Sequence, residues 1–179
     1  SVIEQTYSNW ELLITDDCSK DDTINIIKKF QEIDNRIQLF STGKNSGAAA
    51  ARNISLQNAT GKYIAFLDSD DTWISNKLET QIRFMEKNDI AFSFCTYSVM
   101  KEDGTPTGNI IHAPKVIDYH GYLRNTIIGC LTVIIDKEKT GSFMMPNIKS
   151  SHDMALWLLI MKRGFKAYGL QKKLANYRL

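Results

Sequence analysis

Segments typical of strands and helices alternate along residues 10–100, and this order constrains the fold more than any other feature of the sequence. Short runs with the length and apolar character of strands occupy residues 10–15, 36–41, 63–67 and 90–100. Between them, apolar or small residues indicate helices over residues 24–33, 45–58 and 78–85. Strands joined by helices form a mostly parallel, twisted sheet with helices on both faces. We therefore predict an α/β fold of this kind.

The two ends of the sequence are less regular. Residues 1–7 resemble the end of a helix and follow no initiator Met, so we expect an upstream first strand that this chain lacks. After turn residues at 101–105, the sequence predicts an irregular stretch over 106–129 and a short strand over 131–136. The sequence contains no linker, internal repeat or low-complexity segment. A single domain over residues 1–179 is therefore the expected organisation.

Composition excludes several classes of protein. The chain has 179 residues, 43% of them hydrophobic and 23% charged, as in one globular domain. Its net charge of +2 gives no basic footprint for nucleic acid, and its longest apolar run, residues 154–161, is far shorter than the ~20 residues that span a bilayer. Three cysteines without metal-site spacing (Cys18, Cys95 and Cys130) favour a reducing, cytosolic compartment. They fit small buried side chains, with a single catalytic thiol as the alternative.

Three carboxylates in four residues, Asp68, Asp70 and Asp71, follow the third predicted strand. In an extended segment Asp68 and Asp70 point to the same side, where their mutual repulsion requires a proton or a cation. Mg²⁺ typically binds one or two carboxylates together with substrate phosphates, and ligands of parallel sheets bind beyond the carboxyl ends of the strands. The cluster therefore predicts a metal–diphosphate site. The alternative, a cap on the next helix, explains Asp70 or Asp71 but not all three acids.

Asp16 and Asp17 close the first predicted strand in the same way, so both acidic clusters should open on one edge of the sheet. A carboxylate there can accept N–H or O–H bonds from a nucleotide base or ribose, or it can cap the turn at residues 18–20. Arg52 is the only charged residue between Lys44 and Lys62. Its guanidinium suits a diphosphate, and it suits equally well a salt bridge to one of the aspartates.

Together these segments resemble family 2 glycosyltransferases of the GT-A fold, and the resemblance extends over the whole chain. Each motif alone is weak, but their order and spacing are specific. The matching stretches are residues 5–7 with 9–11, 16–17 with Ser19 and Thr23, 45–53, 59–64 and 67–71. The resemblance implies one GT-A domain whose residues 1–100 bind a nucleotide sugar and whose residues 101–179 lie on the acceptor side.

By this resemblance, donor binding falls on five residues: Asp16, Asp17, Arg52, Asp68 and Asp70. Asp16 and Asp17 correspond to an acidic pair of which one member contacts the uracil of a UDP-sugar or related donor. Asp68 and Asp70 correspond to the D-x-D motif, which binds the ribose and the Mn²⁺ or Mg²⁺ that bridges the diphosphate. The implied metal ligands are therefore Asp70 and Asp68.

The family's general base lies in a Glu-Asp pair before an aromatic-rich helix, and the match here is His152-Asp153 followed by residues 162–164. The resemblance implies that Asp153 is the base of an inverting sugar transfer. His152 replaces the glutamate of the pair. It can titrate near neutrality, although a histidine at a helix start is commonly a cap or a surface residue. Cys18 and Asp22 replace glycines in the turn after the first acidic pair.

Other functions compete for the same residues. Residues 66–72 also fit the hydrophobic D-x-D-x-T pattern of haloacid-dehalogenase-like phosphatases, in which Asp68 would attack a phosphoryl group, but there the motif closes the first strand of the core. A glycoside hydrolase would need two carboxylates such as Asp68 and Asp153 on either side of a sugar bond. A catalytically inactive nucleotide-sugar-binding domain is the non-enzymatic alternative.

The resemblance also implies partners and a cellular location. Members of the family act on saccharide or lipid-linked saccharide acceptors in bacterial cell-surface polysaccharide synthesis, and this implies a cytoplasmic protein. The apolar run 154–161 and the basic end with Lys172, Lys173 and Arg178 add peripheral association with the inner face of the cell membrane as an option. A helix core and a solvated surface explain the same residues without a membrane.

Overall fold

The chain folds into two compact units, each built from separate segments of sequence. The computed structural model describes residues 1–179. The small-sheet unit contains Asn9–Gly61 and Phe143–Leu156, and the large-sheet unit contains Ser1–Ser8, Lys62–Ser142 and Trp157–Leu179. Four of the predicted site residues, Asp16, Asp17, Arg52 and Asp153, belong to the small-sheet unit, and Asp68 and Asp70 belong to the large-sheet unit.

The small-sheet unit has the strand–helix alternation predicted from the sequence. Its elements are β1 (Leu12–Asp16), α1 (Thr23–Ile33), β2 (Ile37–Ser41) and α2 (Ala48–Asn58). The strands pair in parallel, with Leu12 opposite Ile37 and Asp16 opposite Ser41. Helix α2 packs closely on β1 because its residues are small, and the Ser55 hydroxyl donates to the backbone oxygen of Leu13 at 3.2 Å. This packing sets the start of α2 beside the end of β1.

The large-sheet unit contains most of the strands. Its elements are β3 (Tyr63–Ala65), β4 (Thr72–Trp73), α3 (Lys77–Lys87), β5 (Phe92–Met100), β6 (Pro106–Ile111), β7 (Val116–Ile117), α4 (Tyr119–Arg124), a 3-10 turn (Cys130–Thr132), β8 (Ile134–Asp136), α5 (Lys137–Thr140) and β9 (Ala167–Arg178). The strand order is β3-β8-β5-β9-β4, with β6 beside β5 and β7 beside β9. The longest pairing, between β5 and β9, is parallel, whereas the shorter pairings are antiparallel. The last helix, α6 (His152–Lys162), follows α5 in the sequence and precedes β9.

Aromatic and branched side chains form the core of the large-sheet unit. Phe92, Ile134, Ile135 and Trp157 are fully buried. The Trp157 ring lies 5.5 Å from the Phe66 ring and 5.4 Å from the Phe92 ring, at the spacing typical of aromatic pairs. Cys95 and Cys130 are buried as well, in agreement with the prediction of small apolar side chains. Residues 154–161 lie within α6, and Leu156, Trp157, Ile160 and Met161 are buried there.

Three predictions of local structure were wrong, and one strand was not predicted. Residues 1–7 form no helix; the Gln5 amide instead donates to the Ile74 oxygen at 2.9 Å and accepts from the Leu78 nitrogen, so long-range bonds fix the segment. The stretch 106–129 contains β6, β7 and α4, and the strand predicted over 131–136 begins only at Ile134, after the 3-10 turn. Strand β9 was not predicted because its register with β5 shifts near Lys173, which disrupts the alternation of polar and apolar residues.

Candidate functional site

Asp16, the last residue of β1, organises the turn that follows it. Its carboxylate is buried (6% exposed) and accepts the backbone N–H of Cys18 at 3.1 Å and that of Ser19 at 3.2 Å. The bonds hold Cys18 in the left-handed region, with φ 69°. Glycine adopts this conformation without strain, which agrees with the glycine that the family resemblance implies at this position. Asp22, the other glycine replacement, has φ −78° and needs no special residue.

Asp17 joins the end of β1 to the loop that leads into α2. Its Oδ1 accepts the Thr42 hydroxyl at 2.7 Å and the Ser46 N–H at 2.8 Å, and its Oδ2 accepts the Gly47 N–H at 2.7 Å. The Ser46 N–H bond, together with those from Thr42 and Gly47, outweighs partial desolvation and lowers the pKa of Asp17. Gly47 has φ 86° and ψ 162°, a conformation that only glycine adopts readily. An ionised carboxylate therefore fixes this loop.

Consecutive residues of α2 hold the segment that begins α6. The amide of Asn53 donates to the Met145 oxygen at 3.0 Å and accepts the Met145 N–H at 2.7 Å, and the Arg52 guanidinium hydrogen-bonds Nε2 of His152. Arginine can only donate hydrogen bonds, so His152 accepts this one through Nε2. His152 is therefore neither a simple cap nor a surface side chain. Asp153, the next residue, lies in the first turn of α6.

The acids after β3 form a turn, in contrast to the extended segment predicted for Asp68 and Asp70. The backbone N–H of Asp71 donates to the backbone oxygen of Asp68 at 3.1 Å, and the side chain of Asp71 then points into the protein. Asp71 is 6% exposed and accepts the Arg178 N–H at 2.9 Å. Burial, reinforced by the charges of Asp70 and Asp68, raises the pKa of Asp71 to about 6. One of the three acids is therefore structural.

The two remaining acids of this turn fit a hard divalent cation. Asp68 is half-buried and Asp70 is exposed, and both offer carboxylate oxygens, the donors that Mg²⁺ and Mn²⁺ prefer. No group of three or more His, Cys, Asp or Glu side chains forms a complete cation cage. A pair of carboxylates suits a cation that takes its other ligands from substrate phosphates and water.

Sequence reasoning missed the contacts that organise these loops. Gly47 and Asn53 carried a signal, because both belong to the motif at residues 45–53. The contact of Arg52 with His152 carried none, because it joins residues a hundred positions apart in the sequence. The role of Asp71 was hidden because the sequence does not show which of three acids faces inward.

Comparison with known proteins gives the family context. Residues 1–145 match glycosyl transferase family 2. The chain is 52% identical over 179 residues to the putative teichuronic acid biosynthesis glycosyltransferase TuaG of Bacillus subtilis (strain 168), covering 100% of this chain and 71% of the relative. It is 45% identical over 162 residues to the UDP-Glc:alpha-D-GlcNAc-diphosphoundecaprenol beta-1,3-glucosyltransferase WfgD of Escherichia coli, covering 90% of this chain and 62% of the relative. The chain thus spans about two thirds of the length of these relatives.

Solved structures share the fold. S. aureus TarS in complex with UDP-GlcNAc superimposes with a TM-score of 0.76 at 20% identity, covering 98% of this chain and 52% of TarS. A Pyrobaculum calidifontis mannosyltransferase in complex with GDP-Man and Mn²⁺ gives a TM-score of 0.69 at 16% identity, covering 97% of this chain and 50% of that protein. The predicted α/β fold of the GT-A type is thereby confirmed. None of the helices has both the length and the apolar character needed to cross a bilayer.

Proposed function

Because the chain belongs to glycosyl transferase family 2, we propose that it is an inverting glycosyltransferase that moves a sugar from a UDP-sugar to an acceptor hydroxyl. The observation that carries the proposal is the Asp17 carboxylate, ionised and fixed at the end of β1 by three donors. Relatives named for UDP-glucose transfer and a structural neighbour solved with UDP support a uridine donor.

We assign donor binding to the five residues inferred from the motifs. Asp16 shapes the turn at the end of β1, and Asp17 Oδ2, which accepts a single bond from Gly47, keeps acceptor capacity for the N–H of a uracil ring. Arg52 contributes positive charge beside a diphosphate while it holds His152.

Asp68 and Asp70 would hold a divalent cation, Mn²⁺ or Mg²⁺, as the two protein ligands. When bound, the cation would neutralise the charge of the diphosphate leaving group. The protein's own task in this region is to keep the turn rigid. The Asp71 carboxylate contributes by accepting the backbone N–H of Arg178, and the backbone oxygen of Asp70 contributes by accepting the Arg178 Nε–H at 2.6 Å.

Asp153 would act as the general base. Its carboxylate takes the proton of the acceptor hydroxyl while the hydroxyl oxygen forms a bond to the anomeric carbon, and the bond from that carbon to the nucleoside diphosphate breaks. Attack opposite the leaving group inverts the anomeric centre. The Asn53–Met145 bonds and the Arg52–His152 contact would position the base by fixing the start of α6.

The named relatives support a biological setting for this proposal. One relative takes its name from teichuronic acid biosynthesis and another from a lipid-linked GlcNAc-diphosphoundecaprenol acceptor. We therefore place this chain in bacterial cell-surface polysaccharide synthesis, with a saccharide or lipid-linked saccharide acceptor at the cytoplasmic face of the membrane. The sugar transferred is a hexose or its N-acetylamino derivative.

The test is transfer from UDP-glucose or UDP-GlcNAc to a GlcNAc-diphospho-lipid analogue, followed by NMR of the product. We expect a β-linked product from the α-linked donor. Asp153→Asn should reduce kcat by about a thousandfold and leave UDP affinity unchanged, because the base acts only in the chemical step. Asp103→Asn, an exposed acid in a turn, is the matched control and should retain full activity. A product of retained configuration, or UDP binding without transfer to any acceptor, would contradict the proposal.

A further inference from the structure

Positive charge is concentrated in two segments of the large-sheet unit. Residues 112–125 and 162–173 carry seven Lys and Arg side chains and one Asp, and so a net charge of +6, in a chain whose net charge is only +2. The rest of the chain is therefore net acidic. All seven cationic residues are exposed: Lys115, Arg124, Lys162, Arg163, Lys166, Lys172 and Lys173.

The fold brings these two segments together. Strand β7 pairs antiparallel with the start of β9, with Val116 opposite Tyr168. The pairing is close, since a Cβ on Gly169 would lie 1.9 Å from the Pro114 oxygen. A shallow cavity of about 340 Å³ is lined by Lys166 together with Asp118 and Asn125 of the other segment. We call this surface, with Lys115, Val116, Arg124, Lys166 and Tyr168, the basic face.

Apolar side chains lie among the cations of the basic face. Val116 is 48% exposed and Tyr168 37% exposed, and they are direct cross-strand neighbours, whereas Ile117 and Ala167 beside them are buried. The only acid, Asp118, caps α4 by accepting the Gly121 N–H at 2.8 Å. Aliphatic and aromatic side chains surrounded by lysines are typical of surfaces that lie in the headgroup region of a bilayer.

We propose that the basic face binds the surface of an anionic phospholipid bilayer. Each Lys or Arg near such a surface strengthens binding by about fivefold, so Lys115, Arg124 and Lys166 together attract the protein to the membrane without a spanning helix. The exposed Val116–Tyr168 pair favours a bilayer over nucleic acid, because an aliphatic side chain gains nothing from a phosphate backbone. This proposal rests on the proposed function and extends it: binding to the bilayer would bring the enzyme to a lipid-linked acceptor.

The experiment is co-sedimentation of the full chain with vesicles of phosphatidylcholine, with and without phosphatidylglycerol. We expect binding to the anionic vesicles only, weakening as salt rises. Lys115→Glu/Lys166→Glu should reduce binding at least tenfold. Lys87→Glu/Lys101→Glu removes equal charge from exposed positions of the same unit and should bind like the wild type. Equal binding to neutral vesicles, or equal loss in both double variants, would overturn the proposal.

A second pair of variants tests the apolar contribution. Tyr168→Ser should weaken vesicle binding about threefold, whereas Ile110→Ser, which is 44% exposed on β6, should not. Circular dichroism and thermal unfolding confirm that each variant is folded. Binding of single-stranded RNA in place of vesicles would overturn the choice of partner. UDP binding, measured for the wild type and for the Lys115→Glu/Lys166→Glu variant, separates the two proposals. If UDP binding is retained but the wild type binds no vesicles, only the membrane proposal is contradicted.

Discussion

Asp17 and Asp71 each end a run of acidic residues after a strand, yet their carboxylates lie in opposite electrostatic surroundings. Asp17 accepts three hydrogen bonds at the protein surface, which lower its pKa. Asp71 accepts one backbone N–H in a buried position, and burial raises its pKa to about 6. The number of donors that reach a carboxylate, weighed against its desolvation, decides whether its charge stabilises the fold.

The same contrast appears among the other buried charges. Buried charges are concentrated in the large-sheet unit, where Lys77 is fully buried with its Nζ 3.0 Å from Gln81 Oε1 and 4.5 Å from the centre of the Trp73 ring. Burial without a carboxylate partner lowers the pKa of Lys77 to about 8. By contrast, the buried carboxylates of Asp16 in the small-sheet unit and Asp136 in the large-sheet unit are matched by backbone N–H donors.

The largest expected effect that would test this contrast comes from Lys77. Lys77→Met removes a desolvated charge and keeps the volume of the side chain, so it should raise the free energy of unfolding by about 2 kcal/mol at pH 7. Because the folded state binds this proton more weakly than the unfolded chain, wild-type stability should increase as pH rises from 8 towards 10.5. Denaturant unfolding across this range measures both effects. Lys87→Met, at an exposed position, is the control. A free energy of unfolding that does not change with pH, or a Lys77→Met variant less stable than the wild type, would contradict this account of the buried lysine.

The same substitution, Asp to Asn, should change the free energy of unfolding in opposite directions at Asp71 and at Asp17. Asp71→Asn keeps an oxygen for the Arg178 N–H and removes a buried charge, so at pH 8 it should stabilise by about 1 kcal/mol. Asp17→Asn places an amide NH₂ against the Gly47 N–H and should destabilise. In the wild type, the raised pKa of Asp71 costs stability as pH rises from 4 to 6, and the stability from Asp17 is lost as pH falls below about 4. Shifts of equal sign in thermal unfolding would refute the comparison.

The smallest expected effect sharpens the account of the Asp16 turn. Cys18→Gly should stabilise by roughly half a kcal/mol, because relief of the left-handed strain exceeds the added entropy of the unfolded chain. Asp22→Gly, the matched control at a negative φ, should destabilise slightly. Scanning calorimetry of both variants measures the change in stability. If Asp22→Gly stabilised the protein as much as Cys18→Gly does, relief of left-handed strain could not be the explanation.

Local pattern was sufficient to predict much of this fold. The predicted segments at 10–15, 36–41 and 45–58 overlap β1, β2 and α2, because runs of apolar or small residues bounded by polar turn residues mark them in the sequence. Strand β9 escaped prediction since its pairing with β5 depends on contacts distant in sequence and on a shift in register. Residues 1–7 failed for a related reason, because Gln5 bonds to residues some seventy positions away.

The candidate site divides in the same way. Asp16 is the last residue of β1 and Asp17 follows it, at the strand end that the sequence predicted. Asp153 lies in the first turn of α6, where the start of a helix was expected. The sequence could not show which of Asp68, Asp70 and Asp71 is buried, because burial of Asp71 depends on Arg178 at the far end of the chain. Nor could it explain Cys18, whose glycine-like backbone became visible only as a φ of 69°.

The most direct test of the central claim is calorimetric titration of UDP, with Mn²⁺ and with a chelator, into the wild type and two variants. We predict that Mn²⁺ strengthens UDP binding to the wild type at least tenfold. Asp70→Asn should lose that gain and match the chelated wild type, whereas Asp17→Asn should bind about tenfold more weakly under both conditions and keep the gain. UDP affinity that is indifferent to Mn²⁺, or an Asp70→Asn variant with the full gain, would contradict the account.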